Sequence, residues 1–306
     1  MNYTKREMNG EQKGNRFVVE TLSGFNIEGL SIGGQETSII FPQLKLCFDS
    51  GRCFQRCVYA DTLLLTHTHM DHVGGLGMYI ASRNLLSLPP PTILVPQSKA
   101  EAISRFIDAL KVLDDSNLPH ELVPFAPSSD DFYPLKNRNY KIKAFETVHP
   151  IASQGYLILS TKQKLKDKYL TLKGNEIKAL KMDGVEITDT VDVPEIMFTG
   201  DTTMEFLHSS SPQEVIQEGL KAKLVCLECT FVNDDVSPAD AKRFGHTHVR
   251  DIAENAERFR ECDSILLIHF SARYTREEIR EGLRNQLAES HAWLYAKITP
   301  MLAGYE

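Results

Sequence analysis

A chain of 306 residues has room for one large domain or two modest ones, and its formal net charge of −7 disfavours broad, unspecific affinity for nucleic acid. With 42% hydrophobic and 25% charged residues the balance is that of an ordinary globular protein, and no apolar run reaches the roughly 18 residues that a membrane span requires. Six cysteines without a secretory signal point to reduced thiols and a cytoplasmic location, with nucleus or organelle still open.

Residues 1–20 are polar and of mixed charge, and they read as a disordered lead-in to one domain over 21–306. Extended runs are expected at 25–32, 37–41 and 44–48, bounded by Gly33-Gly34, Pro42-Gln43 and Asp49-Ser50-Gly51. A further apolar run, Leu63-Leu64-Leu65, leads into Thr66-His67-Thr68-His69-Met70-Asp71-His72. A helix over 74–86 follows and stops at Pro89-Pro90-Pro91; a buried strand at 92–95 then precedes a helix over 98–113, with Ser98 placed to cap it. The second half repeats the scheme, with strands near Tyr140, Tyr156, Ile196, Leu224 and Ile265 and helices over 212–222, 249–259 and 276–287. Two similar halves of strands and helices imply an α/β fold of two packed sheets with helices outside.

The histidine cluster carries the chemistry. On a strand, side chains repeat every second residue, so His67 and His69 point to one side, while Asp71 and His72 open the next helix. Nitrogen and oxygen donors this dense suit borderline-soft ions such as zinc, and unpaired imidazoles would be costly to bury without a ligand. Three later donors, His149, Asp201 and His269, follow apolar runs in the same way, where strand ends gather ligand sites.

The order His-x-His-x-Asp-His, then His, Asp and His, resembles the metallo-β-lactamase superfamily of dinuclear zinc hydrolases. Leu227-Glu228-Cys229-Thr230-Phe231, Phe244-Gly245-His246-Thr247 and His269-Phe270-Ser271-Ala272-Arg273-Tyr274 resemble strings of the tRNase Z family, most of all its short form in plants. The resemblance runs from about Ile27 to Tyr274 and implies an αββα sandwich with a short protruding arm. It implies two zinc ions per chain, one on His67, His69 and His149, the other on Asp71, His72 and His269, with Asp201 bridging. Catalytic roles would fall to Asp71, beside the attacking water, and to His246 as general acid, held by Glu228; His248 is a weaker candidate. The substrate implied is precursor tRNA, cut by a homodimer to a 3′-OH and a trailer bearing 5′-phosphate.

The arm would occupy residues 162–192, where seven lysines between Lys162 and Lys181 face only Asp167 and Glu176. Lys164, Lys166 and Lys168 are the expected tRNA backbone contacts, with Arg273 near the scissile phosphate; a solvated hairpin edge guarded by lysines is the plainer account. The loop at 31–37 departs from the Pro-x-Lys-x-Arg-Asn string of many relatives. That string occurs at Pro134-Leu135-Lys136-Asn137-Arg138-Asn139, far downstream, and reads as coincidence. Cys226 and Cys229 have metal-knuckle spacing but would face opposite sides of a strand, and Cys53 with Cys57 leaves a zinc or redox role open. A phosphodiesterase or thioesterase on the same fold would keep the metal cluster and need no basic arm. An unselective nuclease would keep both, and a binding-only relative would have lost ligands.

Overall fold

The computed structural model describes residues 18–54, 56–136 and 139–306. One sheet contains β1 (Val18–Leu22), β2 (Phe25–Gly33), β3 (Glu36–Phe41), β4 (Leu46–Phe48), β5 (Thr62–Leu64), β6 (Thr92–Pro96) and β7 (Glu121–Phe125), hydrogen-bonded in that order. The chain runs antiparallel as far as β4 and parallel from β4 to β7. Helices α1 (Met70–Val73) and α2 (Leu76–Leu85) follow β5, and α3 (Ala100–Asp114) joins β6 to β7.

The second sheet starts with β8 (Tyr133–Pro134), β9 (Tyr140–Glu146), β10 (Gln154–Leu165) and β11 (Thr188–Phe198), an antiparallel run with α4 (Gly174–Met182) between its last two strands. After α5 (Phe206–Ser209) and α6 (Gln213–Gly219) comes β12 (Leu224–Glu228), then α7 (Pro238–Phe244), α8 (Val249–Glu254) and β13 (Ser264–Ile268). Strand β14 (Phe270–Ser271) returns to pair with β2 of the first sheet, and α9 (Arg276–Leu287) and α10 (Ala292–Tyr295) lead to β15 (Ile298–Pro300) beside β13.

Alternation along the strands separates three apolar layers. Leu64 faces the space between the sheets while Leu63 and Leu65 meet Tyr79, Ile80 and Ile107 of α2 and α3. In the other sheet Phe198, Cys226 and Ile268 point inward, while Met197, Leu227 and Leu267 pack under Ile216, Ile252 and Leu283. Each such side chain is fully buried and contributes roughly 1.5–3 kcal/mol relative to exposure, so residue parity alone specifies the αββα order. Cys226 and Cys229 indeed fall in different layers, and among the described residues no metal-holding group includes a cysteine. Cys57 lies 3.3 Å from the Cys47 thiol, and burial pushes the half-buried Cys53 up to about 12.

Strands β4, β5, β9, β11, β12 and β13 all end at one rim of the sandwich, where the sheets are bolted together. Phe48 and Phe198 stack across the interior with ring centroids 4.2 Å apart. Nearby the Tyr156 hydroxyl donates to the Leu65 carbonyl at 2.7 Å, and the Gln154 N–H donates to Thr66 O at 3.0 Å.

Several elements differ from expectation for local reasons. Strand β1 begins inside the stretch expected to be a disordered lead-in; residues 1–17 lie outside the described residues. The helix expected over 74–86 starts only at Leu76, because Gly74 ends α1 and Gly75 is the N-cap of α2, and Asn255 interrupts the one expected over 249–259. Ser98 does not cap α3: it sits inside a 3-10 turn, Gln97–Lys99, that precedes the helix. Pro134 lies on an edge strand paired to the start of β9, at the end of that strand away from the rim; Asn137 and Arg138 lie outside the described residues.

Between residues 162 and 192 the β10–β11 ladder continues past the sheet as a hairpin, in register to Leu165 opposite Thr188, with α4 at its tip. At its base the buried Glu195 carboxylate accepts from Ser160 Oγ at 2.5 Å, Lys162 Nζ at 2.8 Å and Lys223 Nζ at 2.6 Å. Burial alone would raise this carboxyl; the two lysines and the hydroxyl outweigh it and hold it ionised.

Arg83 is the largest side chain in the interior, 1% exposed. Its guanidinium donates to the carbonyls of Val58, Ala60 and Pro89 and to Asp61, pinning α2 against the connection between β4 and β5. Arg83→Leu is expected to cost about 3–5 kcal/mol of stability by leaving these acceptors buried without partners. Urea denaturation measures it, and a loss below about 1 kcal/mol would mean that water replaces the guanidinium.

Candidate metal centre and active site

The expected donors arrive at the rim from four strand ends. The β5 run delivers His67 and His69, and the turn into α1 delivers Asp71 and His72. His149 follows β9, Asp201 follows β11 and His269 follows β13. The turns are sharp. Asp49, Gly200 and His269 adopt left-handed backbone at φ 56°, 61° and 63°, each within two residues of a strand end. Gly200 has no alternative, because a Cβ there would lie 2.6 Å from Cβ of Thr66. Asp49 and His269 hold the same region with a full side chain, a strain that packing must override.

Two main donor groups result. His67, His69, His149 and Asp201 form one, and Asp71, His72 and His269 form the other; a third, Asp201, His246 and His269, overlaps both, and the ligand atoms of each group lie within 4.8 Å of one another. His69 turns its Nδ1 inward, 3.1 Å from Nε2 of both His67 and His149. Asp201 Oδ2 lies between the groups, 3.6 Å from His67 Nε2, 3.4 Å from His72 Nε2 and 3.3 Å from His269 Nε2. Asp71 Oδ2 is 3.7 Å and 3.6 Å from the same atoms of His72 and His269, and it accepts from the Gly34 N–H at 3.0 Å. The β2–β3 turn therefore closes one side of the site.

Which ring nitrogen points inward is set by residues outside these groups. Asp49, fully buried, accepts directly from His72 Nδ1 at 2.8 Å. It also accepts from the Thr66 hydroxyl at 2.8 Å, which leaves Thr66 Oγ1 to take the proton of His67 Nδ1 at 3.0 Å. Glu228 repeats this arrangement. It accepts from His246 Nδ1 at 2.8 Å and from the Thr230 hydroxyl at 2.9 Å, and Thr230 Oγ1 faces His269 Nδ1 at 3.1 Å. The carbonyl of Gly245 takes His149 Nδ1 at 2.9 Å. Four imidazoles are thus left with bare Nε2 atoms turned toward one another, a costly arrangement unless cations occupy the middle.

The electrostatics of His67 and His72 differ. Burial and the neighbouring His72 hold His67 well below its ordinary value, in the neutral form that ligates metal. Burial works against protonation of His72, but Asp201 and Asp49 overcome it and raise the ring. Buried imidazole and carboxylate of this number and convergence fit metal ions; sulfur plays no part, and oxygen and nitrogen donors predominate.

His246 stands beside the donors. Its ring stacks on His269 at 5.4 Å and meets His149 at 5.3 Å. Burial opposes its protonation, but Glu228 more than compensates, with Asp201 adding to it, and the ring is raised to about 9. His248 has a structural part instead: fully buried, it accepts the Arg250 N–H at the start of α8 and donates to the Asn233 carbonyl. Arg273 is exposed, 3.1 Å from Ser271 Oγ and 5.6 Å from the Phe231 ring. Lys164 lies 3.9 Å from Asp167, Lys166 3.8 Å from Asp189, and Lys168 stacks on Tyr169, all on the hairpin away from the rim.

Sequence reasoning missed Asp49, Thr66 and Thr230. The turn Asp49-Ser50-Gly51 at a strand end was visible, but nothing local distinguishes a carboxylate that orients two histidines from a turn former. Asp49→Asn is expected to weaken metal binding about 10–100-fold, since an amide in place of the carboxylate removes the charged acceptor that orients His72. Asp201→Ala should lose more, because one oxygen faces both groups. Metal titration by fluorescence competition measures both, and an Asp49→Asn protein with wild-type affinity would show that orientation comes from packing alone.

No family model matches the chain. A tRNase Z of Arabidopsis thaliana is 48% identical over 262 residues, covering 86% of this chain and 91% of that protein. A chloroplastic tRNase Z of the same plant is 42% identical over 291 residues, covering 95% of this chain and 78% of its own length. Among solved structures, a metallo-β-lactamase-fold protein of Bacillus subtilis matches 90% of this chain and 95% of its own, with TM-score 0.57 and 15% identity. The short form of human tRNase Z matches 82% of this chain and 92% of its own, with TM-score 0.54 and 20% identity. The structural likenesses establish the fold, and the sequence identities establish the lineage: this chain belongs to the tRNase Z family, built on the metallo-β-lactamase fold.

Proposed function

We propose that the chain is an endoribonuclease that removes the 3′ trailer from precursor tRNA, leaving a 3′-OH on the tRNA and a 5′-phosphate on the trailer. Relatives at 48% and 42% identity carry the tRNase Z name. The observation that carries the reading is the buried Glu228 carboxylate held against Nδ1 of His246, with seven converging donors alongside. Two zinc ions per chain are the proposed cofactor. His67, His69 and His149 would hold one, Asp71, His72 and His269 the other, and Asp201 would bridge. Such ions supply Lewis acidity, polarising a phosphate and making water a better nucleophile.

The protein's own groups then divide the proton work. Burial pushes the Asp71 carboxyl up, but His269 and His72 outweigh it and lower it to about 2. A carboxylate that weakly basic orients water rather than removing its proton. His246 is held in its charged form by Glu228, so Nε2 carries a proton to give to the departing 3′ oxygen. Arg273, exposed and held only by Ser271 and the Phe231 ring, would meet a phosphate next to the scissile one.

The hairpin at residues 162–192 is the proposed tRNA arm. Lys162 is committed to Glu195, but the Lys164 pair is long and exposed and the half-buried Lys166 holds its two carboxylates only at 3.8 and 3.9 Å, so phosphates can compete for both. Contacts of this kind position an RNA by its backbone shape. A homodimer is supported by an apolar surface on α1, α2 and α3, where Met70, Met78 and Leu113 are 65%, 64% and 82% exposed. A cytosolic location is supported by six free thiols; among the described residues no helix is long and apolar enough to cross a membrane. A fluorescent fusion found only in plastids would overturn that placement.

The reading is tested by incubating zinc-loaded protein with a trailer-bearing precursor tRNA and mapping both new ends. His246→Ala is expected to slow the chemical step about 10²–10⁴-fold with metal content unchanged. If the variant instead sheds an ion, His246 is a ligand and the acid must be sought elsewhere.

Replacing Lys164, Lys166 and Lys168 by Gln should weaken precursor binding and reduce the log–log salt slope by about 2, the release expected for up to three phosphate contacts. Filter binding at several salt concentrations reads this, and unchanged slopes would make the lysines a solvated edge. Sedimentation of the same protein as a monomer at assay concentration would remove the dimer.

A further inference from the structure

One aromatic ring borders the proposed general acid and a second stands behind it, and neither the metal groups nor the proton transfers account for them. Phe231 is 5% exposed and lies 6.3 Å from the His246 ring. Phe244, the last residue of α7 and two positions before His246, lies 6.3 Å from Phe231 and yet is 47% exposed. A half-open aromatic ring at the mouth of a polar site sacrifices burial that a polar residue would not need. Cations collect around the pair: Arg243 is 5.2 Å from the Phe244 ring centroid and Arg273 is 5.6 Å from that of Phe231. Aromatic faces bordered by guanidinium groups are the usual means of holding an unpaired nucleobase with its phosphates.

We propose that Phe244, backed by Phe231, is the stacking platform for the base of the nucleotide immediately 5′ of the scissile bond. The inference rests on the proposed function, and its direction follows from the chemistry. His246 protonates the leaving 3′ oxygen, so the nucleotide bearing that oxygen lies on the His246 side. That is the side on which Phe231 and Phe244 stand. Arg243 and Arg273 then meet the phosphates on either side of the stacked base, Arg243 by leaving Asp240, its exposed partner at 2.9 Å. Stacking is tolerant of base identity because every base has a π-face, so the platform would fix the position of the cut without reading sequence. Phe244 is in this sense a positioning residue.

Cleavage of two precursor tRNAs tests this, one intact and one abasic at the nucleotide 5′ of the cut, by wild type, Phe244→Ala, Phe244→Leu and Phe244→Tyr. Wild type should favour the intact substrate about 5- to 100-fold in kcat/KM, the range of one base–aromatic stack, mostly through KM. Phe244→Ala should lose that preference, treating the two substrates alike and scattering cuts to neighbouring bonds. Phe244→Leu, which keeps the packing on Phe231 but has no π-face, should behave like Ala, and Phe244→Tyr should restore the preference. A merely structural role would slow both substrates equally and leave their ratio untouched, and that result would overturn the platform while leaving the proposed function intact. No cleavage of any precursor tRNA by wild type would remove both.

Discussion

Bare imidazole nitrogens do not stay side by side in a protein interior unless something holds them there, and two buried carboxylates do so. Asp49 fixes His72 directly and His67 through Thr66; Glu228 fixes His246 directly and His269 through Thr230. Each carboxylate accepts several hydrogen bonds, including backbone N–H groups at Thr66 and Thr230, which offsets the cost of burying its charge. The arrangement makes the donor set rigid before any ion arrives, so binding does not have to order it. It also assigns tautomers: the Thr66 and Thr230 hydroxyl protons are committed to carboxylates and the Nδ1 atoms of His67, His72, His149, His246 and His269 face outward, while His69 alone of the donor histidines turns its Nδ1 inward.

Both carboxylates sit where a strand ends, so the sandwich and the site share one construction. The Asp49 half comes from the first sheet and the Glu228 half from the second. Asp201 lies on the seam, with one oxygen facing histidines from both halves. The halves must therefore stay in register to a fraction of an ångström, and the interactions across the seam are correspondingly stiff: the Phe48–Phe198 stack, the Tyr156 hydroxyl on Leu65 and the Gln154 N–H on Thr66. The left-handed backbone at Asp49, Gly200 and His269 follows from the same requirement. A strand that simply continued would carry the side chain past the rim, and the sharp turn returns it to the centre.

Much of this was legible in the residues. His67 and His69 do meet, although β5 ends at Leu64 and the two lie in the connection beyond it and not on the strand whose parity was expected to align them. Apolar runs before His149, Asp201 and His269 announced strand-end donors. The two-sheet architecture followed from the repeated scheme of strands and helices. What escaped was non-local or conformational. Thr66 and Thr230 look like ordinary strand threonines until a carboxylate and an imidazole arrive on either side. Positive φ at His269 has no sequence signature. Helix α4 at the arm tip escaped because its larger apolar residues, Ile177, Leu180 and Met182, do not repeat over enough turns to make a stripe, and the capping serine expected for α3 failed because a 3-10 turn intervened.

The arm shows how a local reading of charge can mislead even when its residues are read correctly. Seven lysines against two acids between residues 162 and 181 looked strongly basic, but the returning strand brings Asp183, Glu186, Asp189 and Asp192 back alongside them. Register sets Lys164 opposite Asp189, and Lys166 lies between Glu186 and Asp189. Among the described residues only Lys168, Lys173, Lys178 and Lys181 of the seven lack a carboxylate partner within 4.0 Å, and all four cluster toward the tip. The arm is therefore a nearly neutral hairpin with a basic end, carried by a chain of net charge −7. On the proposed reading of the arm, RNA would be repelled over most of the surface and attracted at the basic tip, where few phosphates would be neutralised. The electrostatic affinity would then be modest and an RNA would have to fit the rim as well, whereas a uniformly basic arm would bind any RNA, and most of them unproductively.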